Sequence, residues 1–362
     1  MIRYAQGNLL QADAEALVNT VNTVGRMGKG IALQFKQAFP DNFAAYARAC
    51  KADEVRPGRM FITETGMTVN PRYIINFPTK RHWRNKSRLD DIDTGLAALI
   101  ADVQRLGIRS VAVPPLGCGN GGLDWSAVHP RIVAAFERIP EVDVLLFAPT
   151  GAPPAEAMPV RTRRPNMTVA RALLVMLMDQ YQELDYRLTL LEIQKLAYFL
   201  QEAGEKLRLR YEPGHYGPYA DNLNKVLECI EGHFIRGYGD SQKPDAAIGL
   251  LKGTRRAAEE LLQAHADSME RLERVARLIM GFETPYGMEL LASLHWLAHH
   301  NDPRAESTES ATYLLHNWND RKARMFKPSH IAIAWRRLQD EDWLPASQIR
   351  SAAPKVHHYS AE

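Results

Sequence analysis

The sequence predicts a three-layer α/β domain with a mixed, mostly parallel sheet, followed by a mainly α-helical C-terminal domain. In the first 150 residues, short apolar runs alternate with segments of helical spacing. Beyond a proline-rich stretch, nearly every segment has helical spacing alone. Strands that alternate with helices imply parallel pairing, with helices covering both faces of the sheet. A chain of 362 residues is long for a single core and comfortable for two.

Residues 16–21, 73–77, 111–115 and 144–148 are brief, rich in Val, Ile and Leu, and bounded by Gly, Pro or Asn, as buried strands are. Between them, residues 31–39, 89–106 and 126–139 repeat apolar side chains at three- and four-residue intervals, as helices do. The α/β domain is thus expected over residues 1–152. Residues 153–166 are dense in proline and lack periodicity, which predicts a linker. A helical domain is expected over 167–344, from the patterns at 187–207, 254–281, 284–300 and 306–318. Inside it, the Gly/Pro/Tyr stretch at 213–222 is expected to be a loop, and residues 345–362 a flexible tail.

Composition excludes several classes. No apolar run approaches the roughly 18–20 residues that span a bilayer, and the opening MIRYAQGNLLQAD turns polar too early for a secretory signal, so no membrane association is expected. Cys50, Cys118 and Cys229 lie far apart with no CxxC, so neither a disulfide framework nor a structural metal is expected, and the chain reads as cytoplasmic. His295 and His299 have a metal-capable i, i+4 spacing, but no Glu between them makes HExxH, and a packed helical pair is the expectation. The net charge is only +3, yet residues 1–155 hold 18 Lys/Arg against 14 Asp/Glu, and the rest 27 against 28. The basic excess clusters at Lys80, Arg81, Arg84, Lys86 and Arg88, interleaved with His82 and Trp83. Such a run can follow a phosphate backbone and stack a base, or simply be a solvated loop.

Two glycine loops follow predicted strands. The first, residues 19–30, reads NTVNTVGRMGKG and leads directly into a helix; the second, residues 115–122, reads PLGCGNGG ahead of another. Glycine lets backbone N–H groups approach a ligand closely, and a helix N-terminus favours an anion. Two such loops at one sheet edge could clasp a diphosphate. Neither has GxxxxGK[ST] spacing.

The stretch GNLLQADAEALVNTVNTVGRMGKGIALQFKQAFP, with PPLGCGNGGLDW further on, resembles the macrodomain family. The wording NTVNTVG, MGKGIALQFK and NFPTKRHWR is similar to one branch of it, the DarG antitoxins that remove ADP-ribose from DNA. The similarity continues into EPGHYGPYADNLNKVLECIEGHFIRGYGD. The resemblance implies a macrodomain that binds ADP-ribose, with Asn8 and Leu9 on the adenine side, Asn8 standing where the family usually has an acidic residue. It implies Thr20, Val21 and Asn22 beside the distal ribose, and Ile31, Ala32, Leu33 and Gln34 along the diphosphate. The second loop would be Gly117, Cys118, Gly119, Asn120 and Gly121. Thr79 and Lys80 match the place where this branch carries its catalytic lysine, and Arg81, Trp83, Arg84 and Lys86 become DNA-contact candidates. The implied partners are ADP-ribosylated single-stranded DNA, modified on thymidine in the closest family members, and a cognate DarT-type toxin bound by the helical domain. No cofactor is implied.

Breaking the bond at C1″ of the distal ribose passes through an oxocarbenium-like state, for which glycosidases normally use two carboxylates. No such pair lies near the loops; Asp124 is the nearest acid. A lysine can substitute by protonating the leaving base, or by attacking C1″ as a neutral amine; burial or neighbouring cations would assist by lowering its pKa. Asn22 cannot titrate and is expected to orient ribose hydroxyls. The competing readings are a non-catalytic ADP-ribose reader, and a hydrolase of a small ADP-ribose derivative.

Overall fold

The computed structural model describes residues 1–149, 158–182, 188–239 and 247–345. The chain forms two compact units, Met1–Pro165 with Ile230–Ala246, and Asn166–Cys229 with Ala247–Glu362. Residues 150–157 and 346–362, which include part of the expected linker and nearly all of the expected tail, lie outside the described residues.

In the first unit, strands β1 (Ile2–Ala5), β2 (Ala16–Asn22), β3 (Phe61–Glu64), β4 (Tyr73–Lys80), β5 (Ser110–Val113) and β6 (Asp143–Phe147) form one sheet. Their order is β1-β6-β5-β2-β4-β3, parallel throughout except for the antiparallel edge strand β3. Helices α1 (Gly30–Ala38), α2 (Pro40–Lys51), α3 (Leu89–Arg105) and α4 (Trp125–Phe136) cover it. Alternation along each strand separates two cores, because successive side chains point to opposite faces. Val18, Ile75, Phe77 and Val113 pack with Leu96, Leu99 and Val103 of α3 and with Val128 and Ile132 of α4. Leu17, Ile74 and Ala112 pack on the other face with Phe35 and Ala38 of α1. Three layers result, as the alternating pattern predicts.

Part of the expected linker is not free. The Arg161 N–H donates to the Gln37 carbonyl (2.8 Å), its guanidinium stacks over Phe39, and Met158 is buried. Proline density predicts that a segment lacks helix or strand, and these residues have neither; it says nothing about whether their side chains are held.

The second unit contains α5 (Val169–Gln182), α6 (Leu190–Glu202), most of α7 (Leu223–Ile230), α8 (Thr254–Leu262), α9 (Ala266–Ile279), α10 (Pro285–His299), α11 (Thr308–Trp318), α12 (Asp320–Met325) and α13 (Pro328–Asp340). The stretch at 213–222, expected to be a loop, is instead largely a hairpin of β7 (Tyr211–Gly214) and β8 (Gly217–Ala220). Its Gly and Pro content masks the pairing, and buried polar groups supply what propensity does not. The Gln194 side chain donates to the Ala220 carbonyl (3.1 Å) and accepts from the Ala220 N–H (2.9 Å), while Lys195 donates to the Pro218 carbonyl (2.6 Å). The helical pattern over 254–281 is carried by two helices, α8 and α9. His295 and His299 stack at 4.2 Å, with His295 taking part in a hydrogen bond with the Tyr198 hydroxyl, so they are a packed pair. Among the described residues, no group of His, Cys, Asp and Glu could hold a metal ion, and no helix is long and apolar enough to cross a membrane.

Candidate active site

Three adjacent parallel strands, β5, β2 and β4, end at the same edge of the sheet, and ligands of open α/β sheets bind outside that edge. Thr20, Val21 and Asn22 end β2, Thr79 and Lys80 end β4, and Gly117 to Gly121 follow β5. β4 runs three residues beyond the expected strand, so Lys80 is a strand residue and not a loop residue. Pairing shifts at this point: Val21 opposes Pro78, whereas Asn22 opposes Lys80. Thr79 is therefore a bulge residue, and a bulge re-aims the side chains around it.

Lys80 is only 9% exposed, and its ammonium donates to the Asn120 carbonyl in the second glycine loop. Burial lowers its pKa below the ordinary lysine value of 10.5. Of the two causes considered for such a shift, burial is therefore the one at work, not the neighbouring cations.

The two glycine loops meet. A Cβ on Gly30, whose φ is +60°, would lie 2.9 Å from Nδ2 of Asn120. In the second loop, the Leu123 N–H donates to the Gly117 carbonyl (3.0 Å) and the Ser87 N–H to the Gly121 carbonyl (2.9 Å). Asp124 is the N-cap of α4, its carboxylate accepting from the Ser126 N–H at 2.8 Å, a structural role. Burial, and then Asp124, push the Cys118 thiol up to about 11, so it is a poor nucleophile near neutral pH.

Asn22 is spent on local architecture. Its Nδ2 donates to the Arg26 carbonyl (2.5 Å), and its Oδ1 accepts from the N–H groups of Val24 (3.0 Å) and Arg26 (3.3 Å). The hydroxyl of buried Tyr46 donates to the Asn22 carbonyl (2.6 Å), and burial holds that phenol well above the ordinary tyrosine value, so it remains a donor. Beneath them lies a buried amide cluster. Asn19 donates to Oδ1 of Asn76 (2.9 Å), Asn76 donates to Oδ1 of Asn42 (2.7 Å), and Thr63 donates to that same oxygen (2.8 Å). Sequence reasoning missed Tyr46, Ser87 and this cluster. Asn19 opens the first glycine loop, NTVNTVGRMGKG, but nothing in the sequence marks its partners.

Asn8 caps the 3-10 turn Leu9–Gln11. Its Oδ1 accepts from the Leu10 N–H (3.0 Å), and its Nδ2 reaches the sulfur of Met158 (3.6 Å). Leu9 is buried beneath that turn. Ile31 to Gln34 lie in the first turns of α1, with Leu33 buried. Of the DNA-contact candidates, Arg81 is paired with Asp91 (3.1 Å), and its carbonyl accepts from the Thr23 hydroxyl. Trp83 is 39% exposed, stacked against His82, with the Arg84 guanidinium 4.6 Å from its ring centre. Lys86 is exposed.

The sheet order and the two clasping loops define a macrodomain, and the macro domain family model matches residues 18–132. A DNA ADP-ribosyl glycohydrolase of Thermus aquaticus is 45% identical over 359 residues, covering 98% of this chain and 98% of that protein. The solved macrodomain of Mycobacterium tuberculosis DarG is 58% identical, covering 41% of this chain and 99% of that one, with a TM-score of 0.41. A DNA ADP-ribosyl transferase–DNA ADP-ribosyl glycohydrolase fusion protein of Thermosipho africanus is 35% identical over 159 residues, covering 40% of this chain and 41% of the fusion. The chain belongs to the DNA ADP-ribosyl glycohydrolase family.

Proposed function

We propose that this protein removes ADP-ribose from ADP-ribosylated single-stranded DNA, on thymidine, and separately binds and neutralises a DarT-type transferase through its helical unit. The observation that carries the hydrolase reading is the placement of Lys80. A buried lysine with a lowered pKa ends a central strand, held against the loop that wraps the diphosphate. A reader of ADP-ribose needs the loops but not that lysine. An exposed Trp83 flanked by Arg84 and Lys86 suits a base and its backbone phosphates, which favours a nucleic-acid substrate over a small ADP-ribose derivative. Asn22 shapes the loop beside the distal ribose and takes no proton. The fusion of transferase and glycohydrolase in Thermosipho africanus supports the pairing with a transferase. Such a substrate belongs to the cytoplasm.

The test is release of ADP-ribose from an oligonucleotide modified by a DarT-type transferase. Lys80→Ala should slow release by about 10²–10⁴-fold, the usual span for a proton-transfer group, while calorimetry still shows ADP-ribose binding. Near-wild-type turnover in the variant removes Lys80 from the chemistry.

A further inference from the structure

Residues 231–239 leave the helical half of the sequence and lie in the α/β unit, in the opposite direction to α1. At the C-terminal end of α1, the buried Gln37 side chain donates to the Glu231 carbonyl (2.7 Å) and accepts from Arg236 (3.4 Å). The Gly237 N–H donates to the Glu231 carboxylate (3.1 Å), Thr162 and His233 share a hydrogen bond (2.8 Å), and Arg164 stacks over Phe234. At the N-terminal end, the Gly30 N–H donates to the Gly239 carbonyl at 2.6 Å. The Lys29 ammonium lies 5.2 Å from the centre of the buried Tyr238 ring. A Cβ on Gly239 would come within 2.5 Å of Leu33 Cδ2, so the segment lies flush against the helix.

The N-terminal turn of α1 has no side-chain cap. Its first amides are donors without partners inside the helix, and such donors are what an anion binds. The Gly239 carbonyl takes the outermost of them and fixes the direction of the others. We propose that residues 231–239 are a positioning element of the ADP-ribose site, through which Gly239 and Tyr238 set the first turn of α1 and the loop residue Lys29 for the diphosphate. This inference rests on the ADP-ribose reading above. It assigns a role in ligand binding to residues beyond the stretch of 18–132 that the macro domain model matches.

The experiment uses the full chain carrying Gly239→Val, Tyr238→Leu or Tyr238→Phe. ADP-ribose affinity is measured by calorimetry, KM and kcat on modified oligonucleotide, and Tm by thermal melting. Gly239→Val and Tyr238→Leu should weaken ADP-ribose binding about tenfold and raise KM to match, with kcat at saturation kept. Tyr238→Phe, which keeps the ring beside Lys29, should restore affinity; purely structural damage would lower Tm and kcat without this rescue. If Gly239→Val fails to fold, the Tyr238 pair decides alone. Unchanged affinity in well-folded variants overturns the proposal, and so does tighter binding, which would make the segment a competitor of the diphosphate. A wild-type protein that binds no ADP-ribose overturns the ADP-ribose reading itself, a result distinct from insensitive variants.

Discussion

Lys80 shows how position alters the titration of one side chain. A strand end, a bulge at Thr79 and the Asn120 carbonyl hold an ammonium where water is scarce, and burial favours the neutral amine. The pH dependence of single-turnover release should therefore inflect below 10.5. A rate that rises through the inflection identifies the amine as the attacking group, and one that falls identifies the ammonium as the proton donor. An inflection at or above 10.5 would contradict the burial argument. Four and six residues further along, Arg84 and Lys86 are proposed to contact the DNA backbone. Each Arg84→Ala or Lys86→Ala change should leave free ADP-ribose affinity unchanged and reduce the salt slope of modified-DNA binding by about 0.7, the single-strand value per phosphate contact. Arg81→Ala is a poorer probe, because it also strands the buried Asp91 carboxylate.

At the scale of elements, the second glycine loop separates fold from function within three residues. A Cβ on Gly119 meets nothing within 4 Å, whereas one on Gly121 would lie 2.1 Å from the Gly117 carbonyl oxygen. Gly119→Glu should melt like the wild type and lose ADP-ribose binding, since on the proposed reading a carboxylate would enter the space of the diphosphate. Gly121→Ala should lose stability by about 1–3 kcal/mol, the usual cost of forced overpacking, seen as a lower Tm. The two glycine loops were legible in the sequence because each follows a buried, strongly apolar strand. β1 and β3 were not: four residues each, at the sheet edges, neither shows a buried apolar run. Residues 231–239 were also illegible, since EGHFIRGYG has no period and its partners on α1 lie about 200 positions earlier in the chain. Lys80 was singled out through family resemblance alone; the bulge beside it leaves no mark in composition.

On the scale of the whole molecule, the helical unit keeps charges in its interior. Lys195 is 1% exposed, and its pKa is brought down to about 7, by burial first and Lys322 second, against the opposing pull of Glu289 and Glu192. Between pH 7 and 10.5 the unfolded chain then holds a proton that the folded one lacks. Stability should climb with pH across that window and level off below it, by at most about 1.4 kcal/mol per pH unit. Urea midpoints of Lys195→Met should lose that slope; a variant that keeps it places the titration elsewhere. The toxin-binding proposal is tested by pull-down, with a transferase that follows only the α/β unit counting against it. The separation of an α/β part from a helical part was legible in the change of periodicity near residue 167; the return of Ile230–Ala246 to the first unit was not. That return has a consequence during synthesis. The ribosome builds the chain from its N-terminus at roughly 5–20 residues per second, and domains tend to fold as they emerge. Here the α/β unit awaits its last segment, Ile230–Ala246, until the stretch Asn166–Cys229 has already left the tunnel. The nascent protein thus has its lysine and both glycine loops well before it has the segment that sets α1, and full ligand affinity should arrive late in translation.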